Sequence, residues 1–298
     1  MIWRHIFRFD NQSVDYHVAK IMLRISTRNK LRIARILYRM LRIFGFRQKR
    51  VVERNGIRFD LDLAEGIDLS IFLVGRFQRH LFDQRRIHLP DDALVMDVGA
   101  NIGSITLPLA QIVKNGKVFA FEPTHYAFGK LKRNLELNPE LCKRVEAIQT
   151  FVSDRDYEEA GVRVTSSWRL DSIEGDVHPV HGGLHKECVS QHLRLDTFVA
   201  DRKLQRVDLI KIDTDGHEWA VLSGAKETIR KYRPVVLFEL ALYLLEENHV
   251  SYEMIETYFS ELGYRLMSAE SGQSISSATV LSMVPKNGSL DVIAIPQS

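Results

Sequence analysis

Short apolar segments alternate with amphipathic segments of helical period from residue 93 to residue 262, and this alternation limits the possible folds more than any other feature. Strands separated by helices need crossover connections, which give a parallel sheet with helices on both faces. The sequence therefore predicts a doubly wound α/β fold. The predicted strands are Ala93–Val98, Lys117–Phe121, Arg144–Ile148, Val207–Ile212 and Pro234–Leu240, and the predicted helices are Ser104–Lys114, Tyr126–Leu137, His217–Tyr232 and Ser251–Leu262.

Other segments lie outside this alternation. Two alternating runs around Asn55-Gly56 predict a hairpin over Val51–Leu63. Tyr264–Met267 and Leu290–Ile295 predict strands that add an antiparallel edge. The stretch 157–206 has a weaker pattern and is too long for an ordinary loop, so we expect a lid, a small subdomain or a substrate loop. The predicted organisation is an arm over 1–50, a hairpin and helical lead-in over 51–90, and a main domain over 91–298 that contains this insertion.

Charge is distributed unevenly along the chain. The 298 residues carry a net charge of +3, but residues 1–54 hold 14 Lys and Arg against three acidic side chains. That segment therefore has a net charge of +11, and the remainder has −8. Such asymmetry is typical of contact with a membrane surface or a nucleic acid.

The basic arm has a helical pattern over Val14–Phe46, with one helix predicted over Val14–Ile25 and a second after it. The second helix is predicted to have an apolar face and an arginine face: Ile33, Ile36, Leu37, Met40, Leu41 and Phe44 against Arg32, Arg35, Arg39 and Arg42. Such a helix either packs on its own domain or contacts an anionic membrane surface. Nucleic acid is less favoured, because aromatic side chains are not interleaved with the basic ones.

The predicted location follows from what the sequence lacks. No apolar run reaches the roughly 18 residues that a transmembrane helix needs, and the first residues do not resemble a secretory signal. Two cysteines, Cys142 and Cys188, fit a reducing compartment. We therefore expect a cytoplasmic protein, either free or held peripherally at the inner face of the membrane.

The segment Val95–Ser104 is the strongest local motif. It reads as a strand that ends in Asp97, a turn Gly99-x-Asn101-x-Gly103, and the start of a helix. Glycines in such a turn let the backbone approach a ligand, and the helix start offers unpaired N–H groups. A nucleotide-like ligand fits this turn, although it does not match the Gly-x-Gly-x-x-Gly of dinucleotide enzymes. Asp97 would accept from a ligand ammonium or from a loop amide.

Three acidic residues follow three consecutive predicted strands: Asp97, Glu122 and Asp154. Ligands of doubly wound folds bind at the carboxyl edge of the sheet. Glu122 is therefore placed to accept from both hydroxyls of a ribose, and Asp154 to contact an adenine amino group.

At these residues the sequence resembles the FkbM family of S-adenosyl-L-methionine-dependent methyltransferases. The resemblance covers roughly residues 55 to 298, with low similarity across 157–195, and upstream of the motifs it extends weakly through 75–78. The matching motifs are Asp97–Gly103, Val118–Pro123, Leu131–Asn138, Asp208–Glu218, the helix Ala220–Arg230 and Pro234–Glu239.

The resemblance implies a class I methyltransferase fold, Rossmann-like, with a mainly parallel seven-stranded sheet and an antiparallel edge strand. It also implies a cofactor site for S-adenosyl-L-methionine, whose predicted residues are Asp97, Gly99, Ala100, Asn101, Gly103, Glu122, Pro123, Ser153 and Asp154. Two positions depart from the family pattern. Thr214-Asp215-Gly216 replaces the usual Val-Glu-Gly, and Gln78 stands where Glu is common.

Methyl transfer needs an in-line approach of the acceptor and often a base for its proton. Asp213 and Glu239, at the ends of the fourth and fifth predicted strands, should be neighbours beside the reacting methyl, and His217 could serve as a base at neutral pH. We predict Asp213, His217, Asp215 and Glu239 as catalytic residues, with Asp213 favoured as the base. Alternatively, Thr214 or Asp215 caps the next helix, and Glu239 satisfies backbone groups at the sheet edge. Asn134 and Asn138 are interpreted as structural.

A metal site is considered at two places, and none is expected. The set His178, His181, His185, Cys188 and His192 has a spacing that suits zinc, an acceptor-binding loop or an ordinary polar loop. Asp213 and Glu239 could together hold Mg²⁺, as strand-end carboxylates do in some methyltransferases.

The sequence thus favours O-methylation of a hydroxyl on a sugar, a glycolipid or a secondary metabolite, the acceptor class being implied by the resemblance alone. The alternatives are a non-catalytic scaffold or membrane-recruited binding protein with the same fold, and a nucleotide-dependent oxidoreductase. The expected partners are a small-molecule or carbohydrate acceptor and, through residues 14–50, an anionic membrane, whereas the oligomeric state is not predicted.

Overall fold

The computed structural model describes residues 27–75, 87–171, 177, 178, 180 and 183–297. Within these ranges the helices are α1 (Thr27–Ile43), α2 (Gly66–Val74), α3 (Thr106–Ile112), α4 (His125–Glu136), α5 (Pro139–Cys142), α6 (Leu195–Asp201), α7 (Glu218–Gly224), α8 (Lys226–Tyr232), α9 (Leu242–Glu247), α10 (Tyr252–Glu261) and α11 (Val280–Met283). The strands are β1 (Lys49–Arg54), β2 (Ile57–Asp62), β3 (Leu94–Val98), β4 (Lys117–Phe121), β5 (Val145–Ile148), β6 (Phe151–Val152), β7 (Tyr157–Ser167), β8 (Leu184–Leu193), β9 (Leu209–Ile212), β10 (Val235–Leu240), β11 (Tyr264–Ser268) and β12 (Leu290–Pro296).

The main sheet has seven strands in the order β11-β12-β10-β9-β3-β4-β5. The pairs from β10 to β5 are parallel, and β12 runs antiparallel to both of its neighbours. This confirms the predicted fold class, with β12 lying one place inside the edge because β11 pairs with its outer side. The chain leaves β3 toward β4 and later returns on the other side to β9, so the strand order reverses between β3 and β9. Ligands of doubly wound sheets bind at the carboxyl ends of the strands at this reversal.

Each face of the sheet has its own apolar core, because neighbouring residues of a strand point to opposite faces. In β3 the fully buried Met96 belongs to one core and the fully buried Val95 to the other. The sheet is therefore covered on both sides, as the alternation of strands and helices predicts.

One predicted helix, His217–Tyr232, is divided in the structure. It forms α7 and α8, which meet at Ala225. At Gly224 the chain passes so close to the 150s loop that a Cβ atom would lie 2.0 Å from the carbonyl oxygen of Ser153. The prediction of one continuous helix is wrong because this tertiary contact bends the chain, and helical periodicity alone does not report it.

The arm and the hairpin pack together on one side of the molecule. β1 and β2 form the predicted hairpin, with Asn55 and Gly56 in the left-handed region. Leu31, Tyr38 and Leu41 bury one face of α1 in the same core as the hairpin. Of the predicted apolar face, Leu41 is buried in this core, whereas Ile36 and Met40 are exposed at 58% and 48%. The first predicted helix, Val14–Ile25, lies outside the described residues, as does Gln78.

The predicted insertion contains β7, β8 and α6, and its two strands join β6, which precedes the insertion, in a small sheet of the order β6-β8-β7. After β7 the chain returns to the arm side, where Glu65 and Arg169 form an isolated antiparallel bridge. Within the described part of the chain, no helix is long and apolar enough to cross a bilayer.

Candidate functional site

The turn after β3 has the left-handed backbone that its sequence suggests. Gly99, Asn101 and Gly103 have φ values of 76°, 50° and 87°. Asparagine tolerates this conformation better than most side chains, which explains Asn101 between two glycines. A Cβ atom on Gly99 would lie 1.8 Å from the carbonyl oxygen of Asp213, so the two strand ends touch here. The turn therefore requires glycine at position 99 for packing as well as for conformation.

Asp97 lies beneath this turn and is fully buried. Its carboxylate accepts a hydrogen bond of 2.6 Å from Thr106 Oγ1 and lies 3.1 Å from Lys211 Nζ. Lys211 also donates to the carbonyl oxygen of Gly99 over 2.9 Å. The structure thus gives Asp97 two internal partners, and its carboxylate holds the turn through Lys211.

Lys211 is a residue that the sequence analysis missed. It is 3% exposed and lies among the apolar residues of β9. Its pKa is raised because the attraction of Asp97 and Asp213 outweighs burial, so the side chain remains charged. A lysine inside an otherwise apolar strand is the signal that could have identified it, since such a charge needs a buried partner.

Glu122 follows β4 and closes the other side of the turn. Its carboxylate accepts hydrogen bonds from the backbone N–H of Asn101 (3.0 Å) and of Thr124 (2.9 Å), and from Thr124 Oγ1 (2.5 Å). Burial raises the pKa of Glu122, while these donors oppose the shift. The carboxylate is therefore fixed at the carboxyl edge, with lone pairs remaining for a ligand hydroxyl.

The residues predicted for the adenine end lie farther along the chain. Ser153 is buried, and its N–H donates to the carbonyl oxygen of Leu193. Asp154 is exposed and forms an ion pair of 3.4 Å with Arg155. Pro123 is half-buried directly after Glu122, and Ala100 is buried in the turn.

Three carboxylates meet at the ends of β9 and β10. Asp213, Asp215 and Glu239 each have an oxygen within 4.8 Å of the others. Asp291 of β12 stands opposite Glu239 in the sheet register. Burial raises the pKa of Asp213 to about 6, and burial with mutual repulsion raises the pKa of Asp215 and of Glu239 well above the ordinary range. We call Asp213, Asp215 and Glu239 the acid cluster.

Glu218 determines how the chain leaves the acid cluster. Its carboxylate accepts hydrogen bonds from Thr214 N (2.9 Å), Thr214 Oγ1 (3.0 Å) and Gly216 N (3.1 Å). The backbone donors of this loop are therefore satisfied by Glu218. The alternative that Thr214 or Asp215 caps the helix is not observed, since α7 begins after His217 without a side-chain cap. His217 itself is half-buried, with its ring 5.0 Å from that of Phe151.

The sequence analysis missed two side chains on which the charges of the acid cluster act, Lys30 and Tyr243. Lys30 of α1 is half-buried, and the charges of Glu239 and Asp291 act on its ammonium. Burial lowers the pKa of Lys30, and those two carboxylates oppose the shift. Tyr243 of α9 has a raised pKa, first through burial and then through Glu239 and Asp215. No local pattern points to Lys30, because about 200 residues of sequence separate it from Glu239.

The insertion contributes His178 to the same side. Its Nε2 lies 2.9 Å from a carboxylate oxygen of Glu247, and its ring is 5.9 Å from Tyr243. Cys188 donates to the carbonyl oxygen of Pro123, and His192 lies against Phe151. His181 and the side chain of His185 are outside the described residues. The described members thus have separate partners, and the acid cluster is the one group of potential metal ligands in the described part of the chain.

Asn134 and Asn138 are structural, as predicted. Asn134 accepts from Asp60 N and donates to the carbonyl oxygen of Ile102, each over 2.8 Å. Asn138 exchanges two hydrogen bonds with the backbone of Arg58. Together they join the hairpin to α4 and to the turn.

A family profile described as "Methyltransferase FkbM domain" matches residues 97–266, which is more than half of the chain. The chain is 30% identical over 178 residues to methyltransferase sdnD of Sordaria araneosa, covering 51% of this chain and 66% of that protein. It is 30% identical over 193 residues to 31-O-demethyl-FK506 methyltransferase FkbM of Streptomyces tacrolimicus, covering 55% and 69%. It is 26% identical over 155 residues to 2-O-methyltransferase NoeI of Sinorhizobium fredii, covering 48% and 61%. The chain thus spans between 61% and 69% of the length of these relatives.

Proposed function

The chain belongs to the FkbM methyltransferase family, and from this membership we propose that it transfers a methyl group from S-adenosyl-L-methionine to a hydroxyl oxygen of its acceptor. The observation that carries the proposal is the acid cluster, placed directly beside the glycine turn. Carboxylates with raised pKa values at such an edge favour a cationic ligand and can accept the proton of a hydroxyl. The names of two relatives, a 2-O-methyltransferase and a 31-O-demethyl-FK506 methyltransferase, support oxygen as the acceptor atom.

The residues around the turn suit this cofactor. The backbone of Gly99, Ala100, Asn101 and Gly103 would lie along it, because the left-handed turn leaves no Cβ at its two glycines. Glu122 would accept from the ribose hydroxyls, and Pro123, Ser153 and Asp154 would contact the adenine. Asp97 and Lys211 act indirectly by holding the turn. When bound, the cofactor supplies an activated methyl group on a positively charged sulfur.

The chain's own residues then have three tasks. Asp213 accepts the proton that the acceptor hydroxyl loses, and a pKa of about 6 leaves it ionised near neutral pH. Asp215 and Glu239 accept hydrogen bonds from neighbouring hydroxyls, and His217 is the second candidate base. Lys30 donates a hydrogen bond to the acceptor. Acceptors with several hydroxyls, such as a sugar, a glycolipid or a hydroxylated secondary metabolite, suit this mixture of carboxyl groups and one ammonium donor.

The acid cluster also offers three oxygen ligands, which is the type that Mg²⁺ prefers. The proposal assigns these carboxylates to proton transfer and acceptor binding, without a metal. Turnover with a chelator and with added Mg²⁺ separates the two roles. If activity is lost on chelation and only Mg²⁺ restores it, the acid cluster is a set of metal ligands and Asp213 is not the base.

The test uses the full chain with S-adenosyl-L-methionine labelled in its methyl group and an extract of the source cells, followed by mass analysis of the labelled product. Asp213→Asn should bind S-adenosylhomocysteine as the wild type does, and should lose about 10²- to 10⁴-fold in turnover. Glu246→Gln, at an exposed position of α9, is the matched control.

The dependence of kcat/KM on pH is the second readout. For the wild type it should rise with an apparent pKa near 6 that belongs to the coupled cluster, and Asp213→Asn should lack this limb. Full turnover in Asp213→Asn contradicts the assigned base. Cofactor binding without any labelled product supports the scaffold alternative, and stabilisation by NAD instead of S-adenosylhomocysteine supports the oxidoreductase.

A further inference from the structure

The outer face of α1 combines exposed apolar side chains with arginines. Ile36, Met40 and Ile43 are 58%, 48% and 82% exposed, and Phe44, directly after the helix, is 64% exposed. The spacing of three and four residues places Ile36, Met40 and Ile43 in one row along the helix. We call these three side chains the apolar row. Large apolar side chains that are exposed together on one helix face form a patch of the kind that marks a binding surface.

Arginines border this row on one side. Arg28, Arg32 and Arg39 are exposed and lie at helical spacing next to the apolar row. From residue 27 to residue 50 the sequence has nine Lys and Arg and no acidic residue. The surface is therefore basic as well as apolar, and none of the charge is neutralised by acidic residues of this segment.

The opposite side of α1 is anchored to the body. Leu31, Tyr38 and Leu41 are 6–8% exposed, and Tyr38 donates to Gln48 over 3.2 Å. After the helix, Arg50 lies over the rings of Phe46 and Phe72. The apolar row is thus presented by a packed helix, and its outward direction is fixed by the buried side.

We propose that the apolar row and the arginines Arg28, Arg32 and Arg39 dock the protein on the surface of an anionic lipid bilayer. The apolar side chains enter the boundary between headgroups and acyl chains, and the arginines contact lipid phosphates. A helix that lies in the membrane plane needs this combination of an apolar row and flanking basic residues.

Two other occupants fit the surface less well. A nucleic acid would contact the arginines and leave the apolar row in water, because its phosphates offer no apolar surface. A second copy of the chain would bring two basic faces together, and like charges repel at short range. Charge complementarity together with the apolar row therefore favours the bilayer.

The experiment is sedimentation of the full chain with vesicles of phosphatidylcholine alone and with vesicles that contain phosphatidylglycerol as well. Three variants are compared, each with three substitutions at exposed positions and each checked for an unchanged thermal transition. The serine variant combines Ile36→Ser, Met40→Ser and Ile43→Ser. The glutamine variant combines Arg28→Gln, Arg32→Gln and Arg39→Gln, and the lysine variant changes the same three arginines to lysine. The matched control is Leu281→Ser with Arg265→Gln, on another exposed side of the molecule. Sedimentation needs no turnover, so the result is independent of the proposed methyl transfer.

The wild type should bind only the vesicles with phosphatidylglycerol. The serine and the glutamine variants should each lose about tenfold or more in partitioning, and the lysine variant and the control should bind as the wild type. Equal binding by all variants, or binding that ignores phosphatidylglycerol, overturns the proposal. The proposal is also overturned if the protein binds duplex DNA through the arginines and the serine substitutions have no effect on that binding. Sedimentation equilibrium without vesicles gives the other contrary outcome, a dimer that depends on the apolar row.

Discussion

The glycine turn shows how one residue can be fixed by two requirements at once. Gly99 has a positive φ, and its backbone lies against the carbonyl group of Asp213, the favoured base. The same contact that excludes a side chain at position 99 thus sets the distance between the turn and the acid cluster. Gly129 in α4 provides the contrast, since a Cβ atom there would meet nothing within 4 Å.

We expect Gly99→Ala to lower the free energy of unfolding by roughly 2–4 kcal/mol, because the new Cβ must displace backbone and the φ is unfavourable for alanine. Binding of S-adenosylhomocysteine should also be lost. Gly129→Ala should raise the free energy of unfolding by roughly 0.5–1 kcal/mol through helix propensity. Urea denaturation and calorimetry measure both quantities, and equal stability of the two variants would contradict this role of Gly99.

Lys30 is the residue by which the arm reaches the candidate site. The proposed hydrogen bond to the acceptor predicts that Lys30→Met raises the KM for the acceptor about tenfold, since a bond from a charged donor is worth about 1.5–3 kcal/mol. Binding of S-adenosylhomocysteine should be unchanged, and Lys30→Arg should recover part of the loss. Lys49→Met, at an exposed position of the same basic segment, is the control. A change confined to kcat would place Lys30 in proton transfer instead.

At the scale of elements, the break between α7 and α8 depends on a cap from another helix. Asp196 of α6 accepts from Glu227 N (3.1 Å), Thr228 N (2.8 Å) and Thr228 Oγ1 (2.7 Å). The second and third N–H groups of α8 are thus satisfied from outside the helix. Gly224 allows the close approach to Ser153 at the bend, and Asp196 accepts hydrogen bonds from the first turn of α8.

Asp196→Ala should lower the free energy of unfolding by about 1–2 kcal/mol, because the backbone donors at the start of α8 and the buried Thr228 hydroxyl lose their acceptor. Asp201→Ala, at the exposed end of α6, should have almost no effect. Thermal and urea unfolding of both variants check the difference. If the two variants are equally stable, the cap does not hold the break.

At the scale of the whole molecule, buried acids make stability depend on pH in an unusual direction. Besides the acid cluster, Glu65 has a pKa raised to about 7 by burial, even though it accepts from Trp168 N and pairs with Arg169. A carboxyl with a raised folded pKa holds its proton where the unfolded chain has released it. These groups therefore contribute stability that declines as pH rises from their unfolded pKa values through their folded ones.

We expect Asp215→Asn to be more stable than the wild type by roughly 1–2 kcal/mol at neutral pH. Below a pH of about 4 the two proteins should be equally stable, because neither side chain at position 215 is then charged. Asparagine also accepts the left-handed φ of 52° at this position. Unfolding temperatures across this pH range measure the difference, with the exposed Glu261→Gln as control. A constant difference at all pH values would mean that the charge of Asp215 is not the cause.

The sequence by itself determined the strands of the main sheet, the helices α1, α3, α4 and α10, the hairpin, the glycine turn and the alternating order of strands and helices. These depend on apolar periodicity and on glycine or asparagine at particular turns, which act over a few neighbouring residues. The positions of Asp213 and Glu239 at adjacent strand ends follow from the same order, because parallel strands end at one edge.

Only the tertiary structure decided which side chains meet at that edge and what their charges do. The charge of Glu239 acts on Lys30 of the arm, Lys211 pairs with Asp97, and the carbonyl group of Ser153 lies against Gly224. The tertiary structure also leaves Ile36 and Met40 exposed, although the sequence pattern places them on the same face as the buried Leu41. The physical reason is separation along the sequence. Burial and electrostatic contacts join segments that are far apart in the sequence, whereas local patterns carry information about neighbouring residues only.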